Sequence, residues 1–237
     1  MEYKLIKKGE VTSTNTVLKE LAKAGEAEKT VVAADSQTMG RGRMGRSFYS
    51  PDKTGIYMSI LLRESAGKNP TLLTTLAAVA VMKGIESATG KKTQVKWVND
   101  VMLDGKKICG ILTEGAFRGS ELEYAVVGIG INVSTEDFPD EFKSRAGSLG
   151  EDSAVKDKIM TSVLDSFFDE LKNMGSGEFL DFYRGRCETV GKNIKIISPN
   201  GNEREALAVG IDSNANLIVK YPDSTKDVLF SGEVSVR

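Results

Sequence analysis

The stretch QVKWVNDVMLDGKKICGILTEGAFRGSELEYAVVGIGIN, residues 94–132, decides the fold. Val95 to Val98 reads as a strand, Asp104-Gly105 is a strong two-residue hairpin turn, and Ile108 to Leu112 is the returning strand. Arg118-Gly119 offers a second turn before a β-branched run from Tyr124 to Val133. Consecutive hairpins predict an antiparallel or mixed sheet. A doubly wound nucleotide fold, which needs strands alternating with helices, is disfavoured.

Working outward toward the N-terminus, Tyr3 to Ile6 reads as a short strand. Ser13-Thr14-Asn15 then opens a helix on which Val17, Leu18, Leu21 and Ala22 recur until Gly25. Thr30 to Ala34 is a buried strand, and Gly55 to Leu62 another. Asn69-Pro70 is a cap with proline at the first helical position, starting an apolar helix from Thr71 to about Ala88. Toward the C-terminus, Val155 to Leu171 is amphipathic and Glu178 to Arg184 forms a further helix. Beyond Cys187, short β runs are separated by Asn200-Gly201, Ser213-Asn214 and Pro222-Asp223. These read as a small all-β barrel docked on the larger unit. The fold class is therefore α+β, with residues 1–186 as one domain and 187–237 as a second.

The chain has 237 residues, 32 Lys plus Arg, 33 Asp plus Glu and no histidine. That absence removes Ser-His-Asp triads, Cys-His pairs, HExxH zinc sites and any imidazole shuttle. A net charge of −1 argues against a nucleic-acid coat, which shows cationic excess. Cys109 and Cys187 stand far apart outside any CxxC pattern. They predict buried hydrophobes in a reducing, cytoplasmic setting, with neither disulfide nor zinc. The charged N-terminus and Lys83, which interrupts the longest apolar run, predict neither signal peptide nor membrane span.

Three segments carry candidate chemistry. In Gly40-Arg41-Gly42-Arg43-Met44-Gly45-Arg46, glycines let a ligand reach backbone N–H groups and arginines supply forked donors for phosphate or carboxylate. No acidic residue falls between Ser36 and Pro51, so a local charge of +3 sits in a chain of total −1. The segment is neither a P-loop nor a dinucleotide fingerprint, because GxxxxGK[ST] is missing and a strand follows rather than a helix. The second segment is Lys96-Trp97-Val98-Asn99-Asp100, followed across the turn by Lys106-Lys107-Ile108-Cys109-Gly110-Ile111-Leu112. Strand alternation puts Lys107 with Cys109 and Ile111, and Lys106 with Ile108 and Leu112; it does not choose between the lysines. The third is Gly128-Ile129-Gly130-Ile131-Asn132, whose alternate glycines permit close approach of a ligand or another backbone. Each alone also reads as ordinary structure: a solvated loop, an edge lysine, a core tryptophan, tight strand packing.

Their order is specific. Ser13-Thr14-Asn15, GRGRxGR, KWxND with KKxxGIL, GIGIN and the terminal Gly232-Glu233-Val234-Ser235-Val236 resemble the biotin protein ligases over essentially the whole chain. The resemblance implies a catalytic domain like the class II aminoacyl-tRNA synthetases, a mixed sheet flanked by helices, with a C-terminal SH3-like barrel. It implies the monofunctional type, since Ser13 lies too near residue 1 to leave room for an N-terminal DNA-binding domain. The one departure is Val98, where the family usually has proline, which bears on backbone stiffness beside Asn99.

The resemblance also implies an activity. Biotin and MgATP would give biotinyl-5′-AMP, and the biotinyl group would pass to one lysine of a biotin carboxyl carrier protein. Such chemistry suits a site without histidine: a carboxylate attacks the α-phosphorus with no proton to remove, and cations neutralise the charge. The implied catalytic residues are Lys107, Arg43 and Asp100, the last as the carboxylate that orients or deprotonates the incoming lysine. Biotin is assigned to Ser13, Thr14, Asn15, Gln37, Gly40, Arg41, Gly42, Arg43, Phe48, Lys107, Gly110 and Ile111. ATP is assigned to Arg43, Arg46, Trp97, Asn99, Lys107 and Asn132, with the magnesium ligands unassigned. A homodimer is implied, with no DNA or membrane partner. The rival readings are a lipoate or octanoate ligase, a DNA-binding repressor, which the near-zero charge does not favour, and a catalytically silent carrier-binding module.

Overall fold

The computed structural model describes residues 2–63, 70–197, 202–230 and 232–236. In chain order the elements of the larger unit are β1 (Lys4–Val11), α1 (Thr14–Lys23), β2 (Thr30–Gln37), β3 (Gly55–Leu62), α2 (Pro70–Thr89), β4 (Gln94–Lys96), β5 (Asp100–Leu103), β6 (Lys106–Arg118), β7 (Glu121–Asn132), α3 (Asp140–Lys143), α4 (Lys156–Lys172) and α5 (Glu178–Arg186). Then come β8 (Asn193–Ile197), β9 (Glu203–Ile211), β10 (Leu217–Lys220), β11 (Lys226–Leu229) and β12 (Glu233–Val236).

The hairpins behave as their turn residues dictate. Leu103 pairs with Lys106 and Arg118 with Glu121, so each loop has two residues. Asp104 and Gly105 both hold positive φ, 50° and 73°, the conformation that matches the twist of the flanking strands. The sheet order is β1-β2-β3-β7-β6-β5-β4, with β1 and β2 parallel and every other pair antiparallel. The expected mixed sheet is therefore present. The expected strand Val95 to Val98 is cut short: β4 ends at Lys96, and Trp97, Val98 and Asn99 form the turn into β5. The Trp97–Val98 peptide bond is cis. The Asn69 cap and the Asn200-Gly201 turn lie outside the described residues.

One face of the sheet is covered by α2, backed by α4. Leu73, Leu76, Val79, Val81, Met82 and Ile85 are fully buried there, each stabilising the fold by about 1.5–3 kcal/mol. Residues Leu72–Thr89 are long and apolar enough to cross a membrane, yet 67% of that stretch is buried inside the fold, so it reads as a core helix. Gly84 permits the crossing of α2 and α4, because a Cβ there would lie 2.7 Å from the Val163 backbone. The opposite face carries α1 over Val32, Leu61, Tyr124 and Val126. Beyond α1 that face stays open, and the site lies there.

The C-terminal strands form an antiparallel sheet ordered β11-β10-β9-β8-β12. No ladder joins β11 to β12 among the described residues, so the sheet is open rather than the closed barrel expected. It docks through shared core: Trp97 donates its indole N–H to the Ala215 carbonyl at 3.0 Å, Arg184 reaches the Ile211 and Asp212 carbonyls, and Glu188 N–H bonds to Val95.

Candidate active site

The floor of the open face is built from glycines. Gly110 on β6 stands opposite Gly130 on β7, and Leu112 opposite Gly128. A Cβ on Gly130 would come within 2.5 Å of the Phe48 ring, and one on Gly128 within 2.1 Å of Asn15 Oδ1. Side chains from two other elements thus lie flat on the sheet where any larger residue would lift them. Phe48 arrives from the loop after β2. That loop is folded on itself: Phe48 N–H bonds to Gly40, Gly42 N–H bonds to Arg46, and Arg41 bridges to Ser47. Gly40 is required for this, since a Cβ there would meet the Phe48 carbonyl at 2.3 Å.

A polar wall rises at the start of α1. Ser13 is the N-cap, but its hydroxyl makes no capping bond. Thr14 gives both its N–H (2.9 Å) and its hydroxyl (3.2 Å) to Gln37 Oε1. Gln37 Nε2 donates to Ser50 at 2.8 Å, and Ser50 to the Phe48 carbonyl at 3.0 Å. Buried Ser59 reaches Thr14 Oγ1 and Asn15 Oδ1 at 2.8 and 2.6 Å, while Asn15 Nδ2 donates to Glu114 at 2.8 Å. Between wall and floor lies a pocket of about 300 Å³, its open mouth included. Only about 20 Å³ of it is enclosed, room for little more than a water molecule, so most of the recess is open mouth.

The cationic end depends on a β-bulge. The β5–β6 register shifts between Val101 and Met102, pairing Val101 with Cys109 but Met102 with Lys107. One extra residue, Ile108, is absorbed, and the alternation before it reverses. Lys107 is thereby turned onto the glycine face, its Nζ 3.2 Å from where a Gly110 Cβ would stand. It pairs with Asp100 Oδ1 at 2.7 Å. That oxygen is buried and, apart from the ion pair, has no hydrogen-bond partner. Lys106 points elsewhere, its ammonium on the Lys143 and Ser144 carbonyls. Arg43 Nη1 donates to Asn99 Oδ1 at 3.2 Å, and Asn99 Nδ2 to the Ile111 carbonyl at 2.9 Å. Asn132 is 4% exposed; its Nδ2 bonds to Gly147, while Oδ1 is left without a hydrogen-bond partner. Cys109 lies beneath, fully buried, and burial pushes its thiol far above the ordinary range, which leaves it inert.

Most of the residues singled out from the sequence converge. Ser13, Thr14, Asn15, Gln37, Arg41, Phe48 and Gly110 line the pocket, and the pairs Lys107–Asp100 and Arg43–Asn99 stand outside its lining, Lys107 beside Gly110. Gly40 and Gly42 shape the loop, and Arg46 is exposed on it. Three, Asn132, Ile111 and Trp97, present no side chain to the pocket. Ile111 is 2% exposed in the core on the α2 side, and only its backbone meets Asn99. Trp97 lies between the two sheets with its indole N–H already bonded. The sequence reading missed Ser50, Ser59, Leu112 and Glu114. Gly110, Leu112 and Glu114 alternate along one face of β6, a signal that was available.

The chain matches the Biotin/lipoate A/B protein ligase family over residues 9–132, and the Biotin protein ligase C terminal domain over 189–237. It is 36% identical to the bifunctional ligase/repressor BirA of Bacillus spizizenii over 245 residues, covering 100% of this chain and 75% of that protein. It is 28% identical to the biotin–[acetyl-CoA-carboxylase] ligase of Mycobacterium tuberculosis, covering 94% and 85%. The structure of Aquifex aeolicus biotin protein ligase in complex with biotin and ATP superposes with a TM-score of 0.83 at 28% identity, covering 99% and 98%.

Proposed function

The chain belongs to the biotin protein ligase family, and on that premise we propose that it adenylates biotin with MgATP and transfers the biotinyl group to one lysine of a biotin carboxyl carrier protein. The observation that carries the reading is the delivery of the Lys107 amine, by the β-bulge, to the mouth of a polar-walled, glycine-floored pocket.

The bicyclic end of biotin is an uncharged urea fused to an apolar ring. Ser13, Thr14, Asn15 and Gln37 offer hydrogen-bonding groups to the urea, and Leu112 and Phe48 an apolar surface. A fatty acid offers no polar atom to the Ser13 hydroxyl, which makes no capping bond, so the wall favours a urea over it. In the first step a carboxylate oxygen of biotin attacks the α-phosphorus of ATP; a C–O–P anhydride forms and the bond to pyrophosphate breaks. Lys107 neutralises the approaching carboxylate and phosphate. Arg43, fixed by Asn99, and Arg46 hold phosphate oxygens, with Asn132 on the nucleotide side.

The donors present suit magnesium. Asn132 presents a buried oxygen without a hydrogen-bond partner and Asp100 a buried carboxylate oxygen held only by Lys107, and Mg²⁺ is usually bound by one or two carboxylates together with substrate phosphates. Bound there, it would supply charge neutralisation for the phosphates. In the second step the neutral amine of the acceptor lysine attacks the acyl carbon, the bond to AMP breaks, and Asp100 takes the amine proton. A cytoplasmic location fits the unpaired cysteines. A homodimer is supported by the outer edge of β6, which among the described residues β5 pairs only from Lys106 to Gly110.

Incubation with biotin, MgATP and a purified carrier domain should add one biotinyl mass to one lysine. Lipoate in place of biotin should give none. Failure with biotin, or equal labelling by lipoate, would overturn the reading.

A further inference from the structure

Glu114 was not among the residues the sequence pointed to, yet three donors from separate elements converge on its carboxylate. Asn15 Nδ2 on α1 donates at 2.8 Å, Lys19 Nζ one turn further along α1 at 2.5 Å, and Arg41 Nη2 from the glycine–arginine loop approaches to 3.4 Å. The Glu114 side chain is 19% exposed, and its charged partners hold the carboxyl below the usual carboxylate range against the opposing effect of burial. Its position on β6 follows from strand alternation: Gly110 and Leu112 line the pocket, and Glu114 is the next residue on that face.

The three bonds do different things. Lys19 lies outside the pocket, and its bond only neutralises the carboxylate. The bond from Asn15 fixes that amide's orientation, because Nδ2 then faces Glu114 and the Leu112 carbonyl while Oδ1 faces Ser59. The Arg41 pair ties a half-exposed loop arginine to the sheet at the pocket's mouth. That loop also carries Phe48 and Arg43.

We propose that Glu114 is a positioning residue for biotin: it sets the Asn15 amide in the polar wall and latches the glycine–arginine loop over the pocket through Arg41. The proposal rests on the biotin-ligase reading for the identity of the ligand, though not for the latch itself.

The test compares wild type with Glu114→Gln, Arg41→Gln, the double variant and Lys19→Gln, measuring pyrophosphate release against biotin and ATP separately. Trypsin cleavage after Arg43 and Arg46 is followed in the unliganded proteins. Glu114→Gln should raise the biotin KM about tenfold, as expected when a charge-assisted bond is lost, and leave the ATP KM within about twofold. It should also speed loop cleavage. The double variant should be no worse than the poorer single one, because the two residues act through one contact. Lys19→Gln should leave the biotin KM near the wild-type value.

Equal effects of Lys19→Gln and Glu114→Gln would make the role purely structural and overturn the proposal, as would additive losses in the double variant or a uniform change in both KM values. Should Glu114→Gln fail to fold, Arg41→Gln still decides the latch: unchanged loop cleavage there would sink it. Absence of biotin-dependent pyrophosphate release in the wild type would reject the biotin reading instead, and the cleavage comparison would still decide the latch.

Discussion

The Lys107 amine lies 2.7 Å from Asp100 Oδ1, with the side chains 33% and 26% exposed. The proposed electrostatic catalyst is thus held by the proposed acceptor of a proton. A substrate carboxylate or phosphate has to compete with Asp100 for Lys107. On the proposed reading, that competition releases Asp100 to face the incoming amine. The pair gives a histidine-free site a way to order its two steps.

Removal of Lys107 should therefore damage adenylation far more than removal of its neighbour. Lys107→Ala is expected to slow biotin-dependent pyrophosphate release by ~10²–10³, the usual cost of losing a preorganised donor to developing charge. Lys106→Ala loses only exposed bonds to the Lys143 and Ser144 carbonyls, so its rate should stay within about fivefold, as for a surface substitution away from the reacting groups. Equal rates for the two variants would mean that the bulge does not select the working lysine.

That choice shows where sequence reading stops. Turns at Asp104-Gly105 and Arg118-Gly119, the strand Gly55–Leu62 and the four longer helices follow from local residue chemistry, and the structure has them within a few residues, while the short α3 was not foreseen. The face on which Lys107 lies does not, because a bulge is a property of the β5–β6 pairing and alternation counted from either end gives the opposite answer. Trp97 is similar: its partner, Ala215, lies 118 residues away. The alternate glycines announced a close approach correctly, but only the fold reveals that Phe48 and Asn15 make it.

Asp100→Asn should separate the two half-reactions. The variant keeps the shape and loses the proton acceptor, so single-turnover transfer from preformed biotinyl-AMP to a carrier lysine should slow by about 10²-fold, within the range for losing a general base. Adenylate formation should fall less. Transfer at the wild-type rate would remove Asp100 from the second step.

Gly130→Ala tests the floor. The new methyl would stand 2.5 Å from the Phe48 ring, and a ring on a loop can swing aside where packed backbone could not. The fold should survive, with a thermal midpoint within a few degrees of wild type, roughly the effect of under 1 kcal/mol. Biotin affinity should fall because Phe48 no longer covers the pocket. A variant that binds biotin normally by calorimetry would show that the ring is incidental.

Tyr57 gives the stability curve a defined alkaline limb. Its ring is 1% exposed, its hydroxyl donates to the Pro51 carbonyl at 3.0 Å, and burial pushes its pKa up to about 12 from the ordinary 10. A pKa raised on folding means that the native state keeps a proton the unfolded chain has released. The contribution to stability is therefore whole below pH 10 and drains away between pH 10 and about 12. The loss over that window is about 1.4 kcal/mol per pH unit. Tyr57→Phe should cost about 0.5–1.5 kcal/mol near neutrality through the lost hydrogen bond. Its denaturation midpoint should then fall less steeply than that of wild type above pH 10, so that the two curves converge. Parallel curves up to pH 12 would show that the Tyr57 hydroxyl titrates normally and that its burial carries no linked free energy.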